Sequence, residues 1–190
     1  LDLMQRKLEL LRSLGYLTPT ALTPKGEFGA WLYGHELLLT ELHTAGRLAD
    51  LGVLELALLA AAIVFEPKPK AGSAKSHRVS KRLATLCAEP LARIHKEELR
   101  LRITPRAKAT AFHLSLAVEA WMHQAPFTTL TKLCDVDEGE IVRYFRMAVQ
   151  LLRQLSEAPA AAPAFRAAAR KALERINRDV VDAEAQLRLG

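Results

Sequence analysis

The chain has 190 residues, half of them hydrophobic and a quarter charged, the balance of a folded globular protein and not of a disordered or fibrous one. Its longest apolar run, Val53–Phe65, is interrupted by Glu55 and falls well short of the ~20 residues that span a bilayer, which excludes a helical membrane span. The net charge of +6 is unevenly placed: residues 66–108 carry 12 basic and 4 acidic groups, against 5 and 7 in residues 1–65 and 10 and 10 in residues 109–190. That middle segment suits an anionic partner such as a nucleic-acid backbone, and equally a solvated basic helix.

Apolar residues at Met4, Leu8, Leu11 and Leu14 predict a first helix that Gly15 stops. The turn-rich pieces Gly15–Pro19 and Leu22–Gly26 predict a small hairpin, so residues 1–27 look like the end of a winged-helix-like segment. Helical spacing then runs from Phe28 to Leu48 with Gly46 as its cap signal, and a second apolar helix covers Leu51–Phe65. Residues 66–77, beginning Glu66-Pro67-Lys68-Pro69-Lys70, break every period and predict an exposed basic loop.

Helix returns over Lys75–Arg102, with Pro90 as a kink or break, and Pro105 opens another that runs to His123. A short helix, Thr129–Cys134, is followed by Asp137 with Glu140 three residues on, an acidic variant of the capping box, before a longer helix that ends near Leu155. After the Ala158–Pro163 linker, Phe165–Leu187 predicts a final helix. The expected fold is all-α: a helical bundle over residues 28–190, with a small hairpin remnant ahead of it.

The patterns that carry chemistry are missing. Gly72-Ser73-Ala74-Lys75-Ser76 echoes the tail of a phosphate loop but lacks its leading glycine and its strand. His35-Glu36 begins like a helical zinc motif, yet Leu39 stands where the second histidine must be, and His43 is two turns away. The acidic run Asp135, Asp137, Glu138 and Glu140 lacks the glycine and distal glutamate of a calcium loop. Cys87 and Cys134 form neither a disulfide framework nor a zinc pair and read as buried, reduced thiols. No catalytic residue, metal ligand or cofactor is expected.

On the helix after Asp137, Ile141, Phe145, Ala148, Leu152 and Leu155 repeat at four and three and form an apolar stripe. Arg143, Arg146, Gln150 and Arg153 repeat at three, four and three on another face. Arginine pairs with phosphate through its fork and stacks on bases through its plane, and a single strand exposes both. A solvated face with Glu138 and Glu140 as local partners accounts for the same spacing.

The block Asp135-Val136-Asp137-Glu138-Gly139-Glu140-Ile141-Val142-Arg143-Tyr144-Phe145-Arg146 resembles the signature of the DSHCT domain, the C-terminal domain of Ski-type and exosome-associated superfamily II RNA helicases. Gly34-His35-Glu36-Leu37-Leu38-Leu39-Thr40-Glu41-Leu42, Val64-Phe65-Glu66, Phe127-Thr128 and Ile176-Asn177-Arg178-Asp179-Val180-Val181 resemble further blocks of that family in the same order.

The resemblance implies an accessory region without chemistry of its own, taken from a longer, cytoplasmic RNA-processing protein. Two RecA-like motor domains upstream in the same chain would bind ATP and Mg²⁺, and the helical domain would line the path of single-stranded RNA, or of DNA. By the same resemblance, Arg143 and Arg146 fall on a strand-contacting helix and Glu66 near an acidic residue of the path. Met147 departs from the pattern, standing where some members place a basic residue. Two other readings stay open: a helix-turn-helix DNA-binding regulator using residues 129–155, and a protein-docking scaffold.

Overall fold

Every side chain from Leu56 to Phe65 is buried, so the helix α4 (Val53–Val64) has no solvent face and must be surrounded. In the computed structural model of the chain, which describes residues 2–75 and 77–188, the elements that surround it are α5 (Arg78–Arg100), α6 (Ser115–Met122), α8 (Glu138–Glu157) and α9 (Pro163–Ile176). Burying each leucine of α4 contributes about 1.5–3 kcal/mol, which makes this helix the axis of the bundle. The order is completed by α1 (Leu3–Ser13), α2 (Pro24–Trp31), α3 (Glu36–Thr44), the one-turn α7 (Phe127–Leu130), a 3₁₀ turn (Asp179–Val181) and α10 (Ala183–Arg188). The described residues are all-α, as expected from the sequence, with one isolated antiparallel bridge between Leu17 and Leu22.

That bridge is all that forms of the expected hairpin. Thr18 accepts the Ala21 amide through its hydroxyl, and Thr23 caps the Gly26 amide so that Pro24, at the first helical position, opens α2. Gly26 is required there, since a Cβ would meet the Tyr16 carbonyl oxygen at 2.1 Å. A second, smaller core joins α1 to the end of α5 through Leu10, Leu14, Tyr16, Ile94, Leu101 and Ile103.

Four further expectations are corrected. The helix predicted over Phe28–Leu48 is two helices, because Gly34 takes φ +90° and turns the chain between α2 and α3. Pro90 does not break α5, whose helical residues run on through it: the Leu86 carbonyl, which a helical amide at position 90 would have used, instead accepts Arg47 Nη1 at 3.2 Å. The helix predicted from Pro105 starts only at Ser115. Before it, the Ala107 amide donates to the buried Glu98 carboxylate at 2.9 Å, the Ala107 carbonyl accepts His95 Nε2 at 2.7 Å, and the Ala111 amide donates to Ala62. These tertiary partners replace the i→i−4 ladder. The final helix is interrupted after Ile176, where Asn177–Asp182 cross over α8 and the 3₁₀ turn buries Val181 completely.

Candidate nucleic-acid interface

Helix α8 divides its faces as its periodicity predicts. Ile141, Phe145, Ala148, Leu152 and Leu155 are buried against α4 and α9. Arg143, Arg146, Met147, Gln150 and Arg153 line one side of a groove of about 460 Å³ whose other side is the C-terminal strap: Asn177, Val181, Asp182, Ala183 and Glu184. Asp137 is the N-cap residue, but its side chain makes no capping hydrogen bond. Its exposed carboxylate lies 3.8 Å from Lys68, so the expected capping box is not formed, and Glu138 and Glu140 supply the favourable negative charge of the first turn.

The three arginines are not equivalent. Arg143 is exposed, with Nη2 3.0 Å from Glu140 and its guanidinium 4.4 Å from the centroid of the Tyr144 ring. The hydrogen bond with Arg143 holds the Glu140 carboxyl below its ordinary range. Arg143 Nε also donates to Glu140 Oε1 at 3.1 Å, so the guanidinium pairs within its own helix while about half of the side chain stays exposed. Arg153 donates to Gln150 Oε1 at 3.2 Å and retains further donors. Arg146 is consumed by the fold: Nε donates to the Val181 carbonyl at 3.0 Å, and Nη2 to Val180 O and to Gln186 Oε1, each at 2.9 Å. It positions the strap that walls the groove, a role that its spacing in the sequence does not reveal.

Glu66 lies elsewhere. It is exposed just after α4, and its backbone carbonyl accepts the Tyr144 hydroxyl at 3.3 Å. It borders a second cleft, under the basic loop, with Lys68, Lys70, Lys75, Lys132 and His113. Glu66 connects to the arginine groove through Tyr144, over which Arg143 lies, and through Glu140, which borders the same cleft and accepts from Arg143. Lysines and carboxylates balance in that second cleft, since Glu66, Asp135, Asp137 and Glu140 also border it. Ser76, within the expected loop 66–77, lies outside the described residues.

Sequence reasoning missed Asn177 and Arg178. Arg178 lies 3.4 Å over the Trp121 ring and donates to the carbonyls of Trp121 and Ala125, which pins the start of the strap to α6. The histidines that open the metal-like motif separate: His35 begins α3, while His43, on its last turn, stacks on Phe28 at 3.8 Å. A helix-turn-helix approach to a DNA groove leads with the start of its second helix, and here that end carries Asp137, Glu138 and Glu140, which would repel phosphates.

A family model of the DSHCT (NUC185) domain matches residues 20–184. The chain is 32% identical over 167 residues to the ATP-dependent RNA helicase mtr4 of Schizosaccharomyces pombe, an alignment that covers 83% of this chain and 15% of that protein. It is 29% identical over 164 residues to the Exosome RNA helicase MTR4 of Homo sapiens, covering 83% and 16%, and 29% identical over 171 residues to the mRNA transport homolog 4 of Caenorhabditis elegans, covering 83% and 16%. The chain thus spans about 15–16% of the length of these relatives.

Proposed function

We propose that this chain, which belongs to the DSHCT (NUC185) domain family, is the accessory domain of an ATP-dependent RNA helicase and lines the path of the single strand. The relatives named as RNA helicases support the parent activity. The observation that carries the strand contact is the groove along α8, where Arg143 and Arg153 present guanidinium groups beside Gln150 and Met147. Arginine forks pair with phosphate and stack on bases without demanding a sequence, which is what a translocating motor needs from a surface that every nucleotide passes. ATP and Mg²⁺ are assigned to RecA-like motor domains of the same protein, and residues 1–27 to the end of a preceding winged-helix-like segment.

The test is made in the helicase that carries this chain. Arg143→Ala with Arg153→Ala should lower RNA unwinding about tenfold, through lost charge-assisted contacts, and weaken the dependence of RNA affinity on salt. Unchanged unwinding together with an unchanged salt slope would refute the assignment. Arg146 is left out of this pair because its loss would also release the strap.

A further inference from the structure

We infer that the outward face of α5 is a second RNA surface, which takes the phosphate backbone of double-helical RNA; the inference rests on the RNA-helicase reading above but not on the α8 contact. Between Glu66 and Glu89 the sequence holds no Asp or Glu, and it carries Lys68, Lys70, Lys75, Arg78, Lys81 and Arg82. Helix α5 buries Leu83, Cys87, Pro90, Leu91 and Ile94. The helical period then turns Arg78, Lys81, Thr85, Ala92 and Lys96 to the opposite side, where all five are exposed. From Arg78 to Lys96 that face is about 27 Å long at 1.5 Å per residue.

The carboxylates near this face are already committed. Arg82 is met by Glu55, Arg93 by Glu41 and Glu89, and Arg100 by Glu97, while Glu89 also takes Arg47. The side chains of Arg78, Lys81 and Lys96 make no hydrogen bond or ion pair among the described residues. The first turn of α5 holds no acidic residue, so Arg78 and Lys81 stand where the helix macrodipole is positive and disfavours them. Uncompensated cations that oppose local stability on an exposed face fit an anionic partner.

The face offers charge without a stacking platform. Thr85, Ala88 and Ala92, between the cations, are small, and α5 contains no Phe, Tyr, Trp or Met. Single strands are held by stacking on such side chains as well as by charge. Double-helical RNA keeps its bases stacked inside and is recognised by its shape, its phosphates and its 2′-hydroxyls. A ridge with cations near both ends and small residues between them, which let a backbone approach closely, suits the duplex. Its place agrees: α5 and α8 both pack on α4, and no residue of α5 borders the α8 groove, so a duplex can be held here while a single strand occupies the groove.

The probes are a fluorescein-labelled blunt RNA duplex of at least about 16 base pairs and a single strand of the same length, each titrated against the chain by anisotropy over a range of salt. Arg78→Gln with Lys81→Gln and Lys96→Gln should weaken duplex binding about tenfold and lower its salt slope by about two to three, leaving single-strand affinity within about twofold of wild type. Arg143→Ala with Arg153→Ala should do the reverse, which separates failure of this face from failure of the α8 contact. Arg78→Glu with Lys81→Glu suits the helix start better than the wild-type pair, so its urea midpoint should hold or rise while duplex binding is lost. Unchanged duplex affinity in either α5 variant would overturn the face, as would equal losses for duplex and single strand. Polyglutamate that binds as tightly as the duplex, and is released by the same three substitutions, would overturn the RNA assignment in favour of an acidic protein.

Discussion

Arg146 Nε donates to the carbonyl of Val181 at 3.0 Å, so an arginine of the candidate strand-binding face is also the tether of the segment that walls it. Two more acceptors, Val180 O and Gln186 Oε1, complete the set, and Val181 is fully buried beneath it. Hydrogen bonds to charged groups contribute about 1.5–3 kcal/mol each when one partner is deleted, and local opening is easiest in peripheral segments. Arg146→Ala should therefore release the strap before the bundle: hydrogen exchange should quicken at the amides of residues 177–186, while those of α4 and α9 keep their protection. Arg143→Ala, whose side chain is exposed, should leave both sets unchanged. Equal exchange in the strap of Arg146→Ala and wild type would contradict the tether.

Arg47 and Pro90 form a second pair whose meaning lies in the backbone. The Leu86 carbonyl accepts Arg47 Nη1 because a proline at position 90 offers no amide. Arg47→Ala should destabilise the chain by about 1–2 kcal/mol in urea unfolding. Pro90→Ala restores the helical amide and should reduce the cost of the same Arg47 deletion to that of its exposed ion pair with Glu89, about 0–1 kcal/mol. A double-mutant cycle with no coupling would show that the carbonyl is satisfied by other means.

What was legible in the sequence follows from how local the cause is. The buried stripe from Ile141 to Leu155 and the all-apolar α4 are visible because side-chain period alone decides them. The break at Gly34 is hidden because apolar residues continue on both sides of it, from Phe28 through Leu32 to Leu38. The irregular stretch before Ser115 depends on Glu98 and His95, which lie 9 and 12 residues from Ala107 in sequence. The candidate site shows the same division. Arg143 and Arg146 look alike on a helical wheel, and only the acceptors 34 to 40 residues downstream separate an exposed guanidinium paired within its own helix from one committed to the strap.

Glu41 is buried on α3 and binds three groups: Lys25 Nζ at 2.5 Å, Arg93 Nη2 at 2.6 Å and the Tyr16 hydroxyl at 3.1 Å. Burial, with the Glu41 charge second, raises the pKa of the Tyr16 phenol well above its ordinary value. Removing a carboxylate that pairs two cations costs about 3–5 kcal/mol when they are stranded in the interior. Lys25 is only partly buried and Arg93 half-exposed, so Glu41→Ala should cost less, about 2–3 kcal/mol. Its signature would be separation of α1 and α2 from α5, read as faster proteolysis ahead of α3. A stability change below about 0.5 kcal/mol, the usual range for surface substitutions, would contradict this account.

Acid should weaken the fold through its histidines. Burial lowers the pKa of His43 below the ordinary 6.5, and burial followed by the Lys108 charge does the same for His35. The native state thus holds both rings neutral where the unfolded chain, at its ordinary value, takes up protons. Stability conferred in this way is fully present above about pH 6.5 and is lost as pH falls below it, with a slope of at most about 1.4 kcal/mol per pH unit for each group. His43→Phe keeps a ring to stack on Phe28 but cannot titrate. The urea midpoint of the wild type should fall between pH 7.5 and 5.5, and that of the variant should fall less. Parallel curves would show that protonation of His43 is not coupled to unfolding and that the ring is as accessible to protons in the native state as in the unfolded chain.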